Sequence, residues 1–317
     1  MCMMIKERYI DPFTDFGFKW IFGTEENKEL LISFLNDVLD LEYSIVEVEY
    51  KNLEKLGLHI SDRKAIFDIY CKDSNNNQFI VELQRSKQKY FKDRSIYYTS
   101  FPIQGQSKRG DWDYSLKKTY FIGILEFIMD EDSKDDENYI TKVQLCNTKT
   151  KEVFYDKLTY IYLEMPKFKK AKEELSNHLD YWLYTLNNMN NLNKIPKIFK
   201  EDKLINQAFN VAEFLALDKD KQFQYQLDLK ARLDYKNVMD YAKEMAMEAG
   251  KAEGLARGKA EGLAKGKAEG LAEGKAEGLK EGVINTAIIM IEEFNLSLEE
   301  VSLKLNISID ELKKHLK

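Results

Sequence analysis

Apolar and polar positions alternate most tellingly between Ala65 and Gln84, AIFDIYCKDSNNNQFIVELQ. Two runs of β-branched and aromatic residues flank a tip of turn formers, Asp73-Ser74-Asn75-Asn76-Asn77. This predicts a β-hairpin. Each run is interrupted by one acid, Asp68 in the first and Glu82 in the second. With the strands paired symmetrically about Asn75, Asp68 faces Glu82 and Ile66 faces Gln84. Like charges directly opposite on a sheet are destabilising and call for a compensating cation. Glu82 and Gln84 share a face while Leu83 points the other way. Two carboxylates and a carboxamide converging on one side suit a divalent ion with oxygen ligands.

Upstream, residues 9–22 (YIDPFTDFGFKWIF) predict a short helix capped by Thr14, with Phe18, Ile21 and Phe22 on one side. Asp15 and Lys19 share its surface, either as a helical ion pair of ~0.2–0.5 kcal/mol or as part of a site. Thr24 heads a second helix with Glu25 and Glu26 in its first turn, and Leu31, Phe34, Leu35 and Val38 form its stripe. SIVEVEY at 44–50 alternates as a half-buried strand, and 51–64 is a polar connection into the hairpin.

Directly after Gln84 the chain turns basic. Arg85, Lys87, Lys89, Lys92 and Arg94 are interleaved with Tyr90, Phe91, Tyr97 and Tyr98. As a helix, this segment sets a cationic surface beside the acids, suited to gripping phosphates. The alternative is an ordinary amphipathic helix with a solvated basic face. KTYFIGILEFIM at 118–129 reads as a buried central strand, EDSKDDEN at 131–138 as a solvated loop, and 139–146 and 158–164 as further strands, the last closed by Pro166. From about 171 the period becomes helical. HLDYWLYTLNNM and KLINQAFNVAEFLAL carry core stripes, Asp218 to Lys221 forms a loop, and a charged helix runs through Met247.

From Gly250 to Gly282 an eight-residue unit, GKAEGLAx, repeats four times with glycine at every fourth position. Each glycine costs a helix ~1 kcal/mol against alanine. A four-residue stripe advances about 40° per step, so no fixed coiled-coil seam results. The repeat is either a solvated spacer helix or a glycine-lined helix packed on a partner. Beyond it, VINTAIIMIEEF, SLEEVSLKL and SIDELKKHL predict three short helices, with Ser297–Glu300 and Ser308–Glu311 as capping boxes. The last two form either a small helix-turn-helix or a self-association tail.

Composition narrows the function classes. Charged residues make up 32% but balance to −6, so an anionic partner must be held by a local patch. Cys2, Cys71 and Cys146 form no metal or disulfide spacing, and His59, His178 and His315 lie far apart and rank low as bases or ligands. No segment approaches ~18 consecutive apolar residues. The expectation is a soluble, cytoplasmic protein without a membrane partner.

The ordered set of motifs carries a family resemblance. DxxFK (Asp15, Phe18, Lys19), LxSFLNDVL (Leu31 to Leu39), Asp68, ExQ (Glu82, Gln84), YFIGILEF, YIYLEMPKF and DYWLYTL follow one another in that order. Over about residues 9–250 this resembles the Rpn (recombination-promoting nuclease) and putative-transposase branch of the PD-(D/E)XK nucleases, behind whose domains KAEG-type repeats often follow. The resemblance implies an α/β, restriction-endonuclease-like mixed sheet flanked by helices. The core would span 1–170, a helical region packed on or extending it 171–249, the repeat spacer 250–282, and a helix-turn-helix-like tail 283–317.

It also implies Mg²⁺-dependent, or Mn²⁺-dependent, endonucleolytic cleavage of DNA, linked to recombination or mobile elements. Asp68 and Glu82 would bind the metal, with Asp15 and Lys19 beside them. Gln84 stands where most relatives outside this branch have lysine. A carboxamide can position a water or ligate a metal, but it brings no positive charge, which Lys87 or Lys89 would supply. Arg85, Lys87, Lys89, Lys92 and Arg94 would hold the DNA backbone. The other reading is a catalytically inactive DNA-binding or oligomeric interaction protein; under either reading the repeat and tail are the candidate contacts of a homo-oligomer. A transposase acting by strand transfer is a third.

Overall fold

Thr14 starts the first helix, α1 (Asp15–Phe22), by accepting the Gly17 N–H with its side chain. Gly17 is required there, because a Cβ would lie 2.2 Å from the Asp11 carbonyl oxygen. The protein is seen in a computed structural model describing residues 7–51, 54–55, 65–107, 112–129 and 138–316. It divides into two units, Met1–Tyr235 and Lys236–Lys317.

In the first unit α1 leads through a 3-10 turn at Glu25–Asn27 into α2 (Lys28–Leu39). Thr24 makes no side-chain cap bond, so the expected cap is replaced by that turn. Strand β1 (Val48–Tyr50) follows, then the short β2 (Glu54–Lys55) and β3 (Ala65–Ile66), which pair with each other. The remainder of the 51–64 connection lies outside the described residues. The hairpin is β4 (Ile69–Asp73) and β5 (Gln78–Gln84). After it come α3 (Phe91–Gln104), β6 (Thr119–Leu125), β7 (Ile140–Cys146) and β8 (Val153–Glu164), then α4 (His178–Asn188) and α5 (Lys203–Val211). The acidic segment expected as a loop at 131–138 lies outside the described residues except for Asn138.

The six-stranded sheet has the order β1-β4-β5-β6-β8-β7. Strands β5, β6 and β8 are parallel at its centre, and antiparallel strands finish both edges. This is the mixed α/β sheet flanked by helices that the motif order implied. Period two splits its side chains between two cores. On one face Phe79, Val81, Ile122, Ile124, Ile161 and Leu163 pack with residues of α1, α2, α4 and α5. There Phe22 stands 5.3 Å from Phe34 and 5.5 Å from Trp182, ring centre to ring centre. On the other face Tyr70, Ile80, Phe121, Leu125, Tyr160 and Tyr162 pack under α3 with Phe67 and Phe91.

Helix α3 begins only at Phe91, so Arg85, Lys87 and Lys89 precede it instead of lying on it. Its inner face is partly polar. Ser95 and Thr99 hydrogen-bond the hydroxyls of Tyr162 and Tyr160 at 2.8 and 2.7 Å. Buried hydroxyls satisfied this way cost little, which is why an apolar stripe is weak in that segment.

The last helix of the first unit, α6 (Lys219–Glu292), supplies residues to both units. The expected loop at 218–221 is its start, with Asp218 accepting the Lys221 N–H. In the second unit the repeat is helical, and each glycine from Gly250 to Gly282 has nothing within 4 Å of where a Cβ would stand. Residues 283–292 continue α6, so the first of the three expected tail helices is not a separate element. Two helices, α7 (Leu298–Leu305) and α8 (Ile309–His315), fold back so that Ala287, Val301 and Leu312 form a small core. The capping box is complete at Ser297–Glu300, and Ser308 accepts the Glu311 N–H. No described helix is long and apolar enough to cross a membrane.

Candidate active site

The β4–β5 ladder pairs Ile69 with Val81, Tyr70 with Ile80, Cys71 with Phe79 and Lys72 with Gln78. This is the register centred on Asn75. Its tip is held by Asn76 in the left-handed region (φ 62°) and by Asn77, which donates to Tyr43 and Asp73. Neither of the two pairs expected beyond it, Asp68 with Glu82 and Ile66 with Gln84, belongs to the ladder. Phe67 and Asp68 lie between β3 and β4, so Ile66 pairs with Glu54 and not with Gln84. At this break Phe67 is fully buried under α3, its ring against Tyr70, Tyr98 and Phe101.

At that break the two acids replace the missing rung. Asp68 Oδ2 accepts the Leu83 N–H at 2.8 Å, and Glu82 Oε1 accepts the Asp68 N–H at 3.1 Å. One oxygen of each carboxylate is fixed by the main chain, and the second is left for another partner. Glu82 is buried at 5% exposure. Burial, then the Asp68 charge, pushes its carboxyl up to about 8. Burial also raises Asp68, against the pull of the Leu83 N–H and of Lys19.

Lys19 reaches this pair from α1. Its Nζ lies 2.8 Å from Asp15 Oδ1 and 3.8 Å from Asp68 Oδ1. Burial lowers the Lys19 pKa, but Asp15, Asp68 and Glu82 together outweigh it and the net direction is up. Asp15 is half exposed and touches Lys19. The structure thus links four of the five sequence candidates in one network, with Asp15 in the outermost position.

Gln84, the fifth, is buried beside them with both ends of its carboxamide engaged. Its Nε2 donates to the Ser86 carbonyl at 2.9 Å, and its Oε1 accepts from Arg94 Nη2. Among the basic residues, Arg85 lies 3.6 Å from Asp228, and Lys89 sits over the Tyr90 ring. Lys87 and Lys89 are exposed at the approach to α3, Lys92 is exposed in its first turn, and Arg94 is turned inward onto Gln84.

Sequence reasoning passed over two contributors. Gly123 of β6 is in register with Glu82 on one side and Tyr162 on the other. A Cβ there would stand 3.2 Å from Tyr162 and 3.3 Å from Phe121, so the missing side chain is needed for packing next to Glu82. The lone glycine inside YFIGILEF was the available signal. Arg232 of α6 donates two bonds of 2.6 Å to Glu126, just beyond β6, and one of 3.0 Å to the Phe13 carbonyl, with Asp11 at 3.2 Å. It locks the approach to α1 onto the sheet end that carries the site. Nothing local in the sequence marks it.

The donor set can be tested against a metal. Among the described residues no group of three or more His, Cys, Asp or Glu side chains could hold an ion. The chain itself offers two desolvated carboxylates, whose mutual repulsion an ion of charge two would relieve. Two carboxylates fit Mg²⁺, which keeps several waters and uses substrate phosphate for its remaining positions.

No curated protein and no solved structure matches the chain. The model of one family, described as PD-(D/E)XK nuclease family transposase, matches residues 12–242, a stretch that contains the sheet, α1 and every residue of this site. The chain therefore belongs to the PD-(D/E)XK nuclease family transposases.

Proposed function

We propose that the protein is a metal-dependent DNA endonuclease that hydrolyses phosphodiester bonds. The observation that carries this reading is the buried Asp68–Glu82 pair, whose neighbours only partly neutralise it. Nucleases of the PD-(D/E)XK kind generally use divalent ions, and Asp68 and Glu82 are the residues that would hold Mg²⁺, or Mn²⁺ in its place. A bound ion supplies Lewis-acid polarisation of the phosphate and a lowered pKa for the attacking water.

The remaining work falls to the chain's own groups. Lys19 stabilises the ionised form of Asp68, and Asp15 holds the Lys19 ammonium in place. Exposed Lys87, Lys89 and Lys92 bind the DNA backbone without reading bases, which makes affinity fall with salt. A role in recombination or in mobile-element movement follows from the family and is part of the proposal, as is self-association through the repeat and tail.

The test is nicking of supercoiled plasmid by purified protein with Mg²⁺, with Mn²⁺ and with chelator. Wild type nicks only with metal, and Asp68→Asn and Glu82→Gln lose about 10²-fold or more. Equal nicking by wild type and both variants removes the site assignment. Absence of nicking together with metal-independent DNA binding favours the non-catalytic reading, for which the glutamine at position 84 is the motivating observation.

A further inference from the structure

The third position of the motif holds a neutral side chain, yet the site is not without a second cation. Arg94 enters it from the first turn of α3. Its Nη2 donates to Gln84 Oε1 and its Nη1 to Gln88 Oε1 at 2.8 Å. The guanidinium carbon lies 5.6 Å from the centre of the Phe91 ring and 5.5 Å from that of Tyr98. Two aromatic faces and two carboxamide oxygens therefore define its place.

Such a guanidinium is pre-organised, because its planar fork needs little further ordering to bond and stack. Gln84 is pinned in turn by the Ser86 carbonyl on its other end. In the β5 pleat Gln84 shares a face with Glu82, so the Arg94 guanidinium bonded to Gln84 Oε1 stands on the Glu82 side of the sheet, where its charge favours the ionised Glu82 carboxylate. Lys87 and Lys89, which the sequence offers for this role, are exposed, whereas Arg94 is partly buried.

We propose that Arg94 is a positioning residue of the active site: it fixes the Gln84 carboxamide and brings to the Asp68–Glu82 pair the positive charge that a lysine at position 84 would have carried. This rests on the nuclease reading above. It differs from a DNA-backbone contact, the role that composition suggests for Arg94, in what its removal does. A positioning residue supports the chemical step, whereas a backbone contact supports affinity and its salt dependence.

The experiment measures kcat and KM for plasmid nicking, and metal-free DNA affinity as a function of salt, for Arg94→Met, Arg94→Lys, Gln84→Met and the double variant. Methionine keeps apolar contact with Phe91 and Tyr98, and a thermal melt of each variant reports folding. The expected result for Arg94→Met is a kcat loss of about 100-fold, with KM, DNA affinity and salt slope within about two-fold of wild type. Arg94→Lys restores part of kcat, since it returns the charge but not the fork; if Arg94→Met does not fold, the kcat-against-KM split of Arg94→Lys decides. The double variant is no worse than the worse single one, because the two residues act as a unit.

An unchanged kcat, or a loss confined to affinity with a shallower salt slope, overturns the proposal. So do losses that multiply in the double variant. If wild type itself does not nick DNA with Mg²⁺ or Mn²⁺, the nuclease reading has failed and the role of Arg94 falls with it. If wild type nicks and Arg94→Met nicks equally well, only the Arg94 assignment has failed.

Discussion

Asp68 and Glu82 are tied by a main-chain hydrogen bond: the Asp68 N–H donates to Glu82 Oε1 at 3.1 Å, while the Asp68 carboxylate accepts the N–H of Leu83, the next residue along β5, at 2.8 Å. The break between β3 and β4, with its bend at Asp68, leaves this part of the ladder without its regular pairing, and the two acids supply substitutes. The same atoms that repair the sheet place two carboxylates side by side.

This arrangement makes the metal-free protein less stable as pH rises. The folded Glu82 carboxyl titrates at about 8, above the ordinary 4.5. Between those values the folded state holds a proton that the unfolded state has released, so stability falls across the interval. The change is on the order of a few kcal/mol. Melting in chelator from pH 5 to 8.5 shows this decline for wild type and a flatter profile for Glu82→Gln, which keeps an acceptor for the Asp68 N–H. On the proposed metal assignment, the expected outcome with Mn²⁺ at pH 8 is a higher melting temperature for wild type and no rise for Glu82→Gln. Parallel pH profiles for the two proteins contradict the account.

Gly123 tests the packing beside Glu82. Gly123→Ala puts a methyl 3.2 Å from Tyr162 and 3.3 Å from Phe121 in a fully packed strand. Overpacking of this kind costs about 1–3 kcal/mol. Urea unfolding should show that loss, and Mn²⁺ stabilisation of the variant should weaken as β6 pushes on Glu82. A variant as stable as wild type would mean that the Tyr162 and Phe121 rings yield freely.

Arg232 joins Glu126, Asp11 and the Phe13 carbonyl, and its partners are mostly buried. Charge-assisted bonds of this sort contribute about 1.5–3 kcal/mol. Arg232→Met loses that much in equilibrium unfolding. In the Glu126→Gln background the further loss is smaller, because the bidentate pair is already broken. Full additivity of the two changes would show that the pair contributes nothing.

His178, far from the site, forms a separate pH-sensitive clamp. Its Nδ1 meets Asp37 of α2 at 2.5 Å, and its Nε2 meets Asp202, the N-cap of α5, at 2.9 Å. The hydrogen bond to Asp37 raises its pKa despite partial burial, with Asp202 adding to the effect. The contribution is complete below the unfolded value of 6.5 and is lost as pH rises through the raised folded value. His178→Gln removes this portion of the pH dependence and leaves that of Glu82, so comparing the two variants with wild type separates the groups. A His178→Gln melting profile that tracks wild type from pH 6 to 9 counts against the clamp.

How much of this was legible differs from residue to residue. The hairpin register was, because period two in the strands and a turn-forming tip centred on Asn75 leave a single symmetric pairing that buries Ile69, Cys71, Phe79 and Val81. The Asp15–Lys19 contact was, because four residues is one helical turn. The helical repeat was open to two readings, since its glycines oppose a helix that its lysines, glutamates and alanines favour.

What local pattern determined, then, is the order of elements, the faces of the strands and the nearness of Asp68 to Glu82. Tertiary structure alone decided the strand break at Phe67 and Asp68, the inward turn of Arg94 onto Gln84, the polar seam of Ser95 and Thr99 on the β8 tyrosines, and the Arg232 and His178 clamps. The physical reason is shared. A strand or helix period depends on residues a few positions apart and is set by the backbone. A buried polar group takes its partner from whichever chain segment the packed core brings within hydrogen-bond reach, and for His178 and Asp37 that partner is more than a hundred residues away.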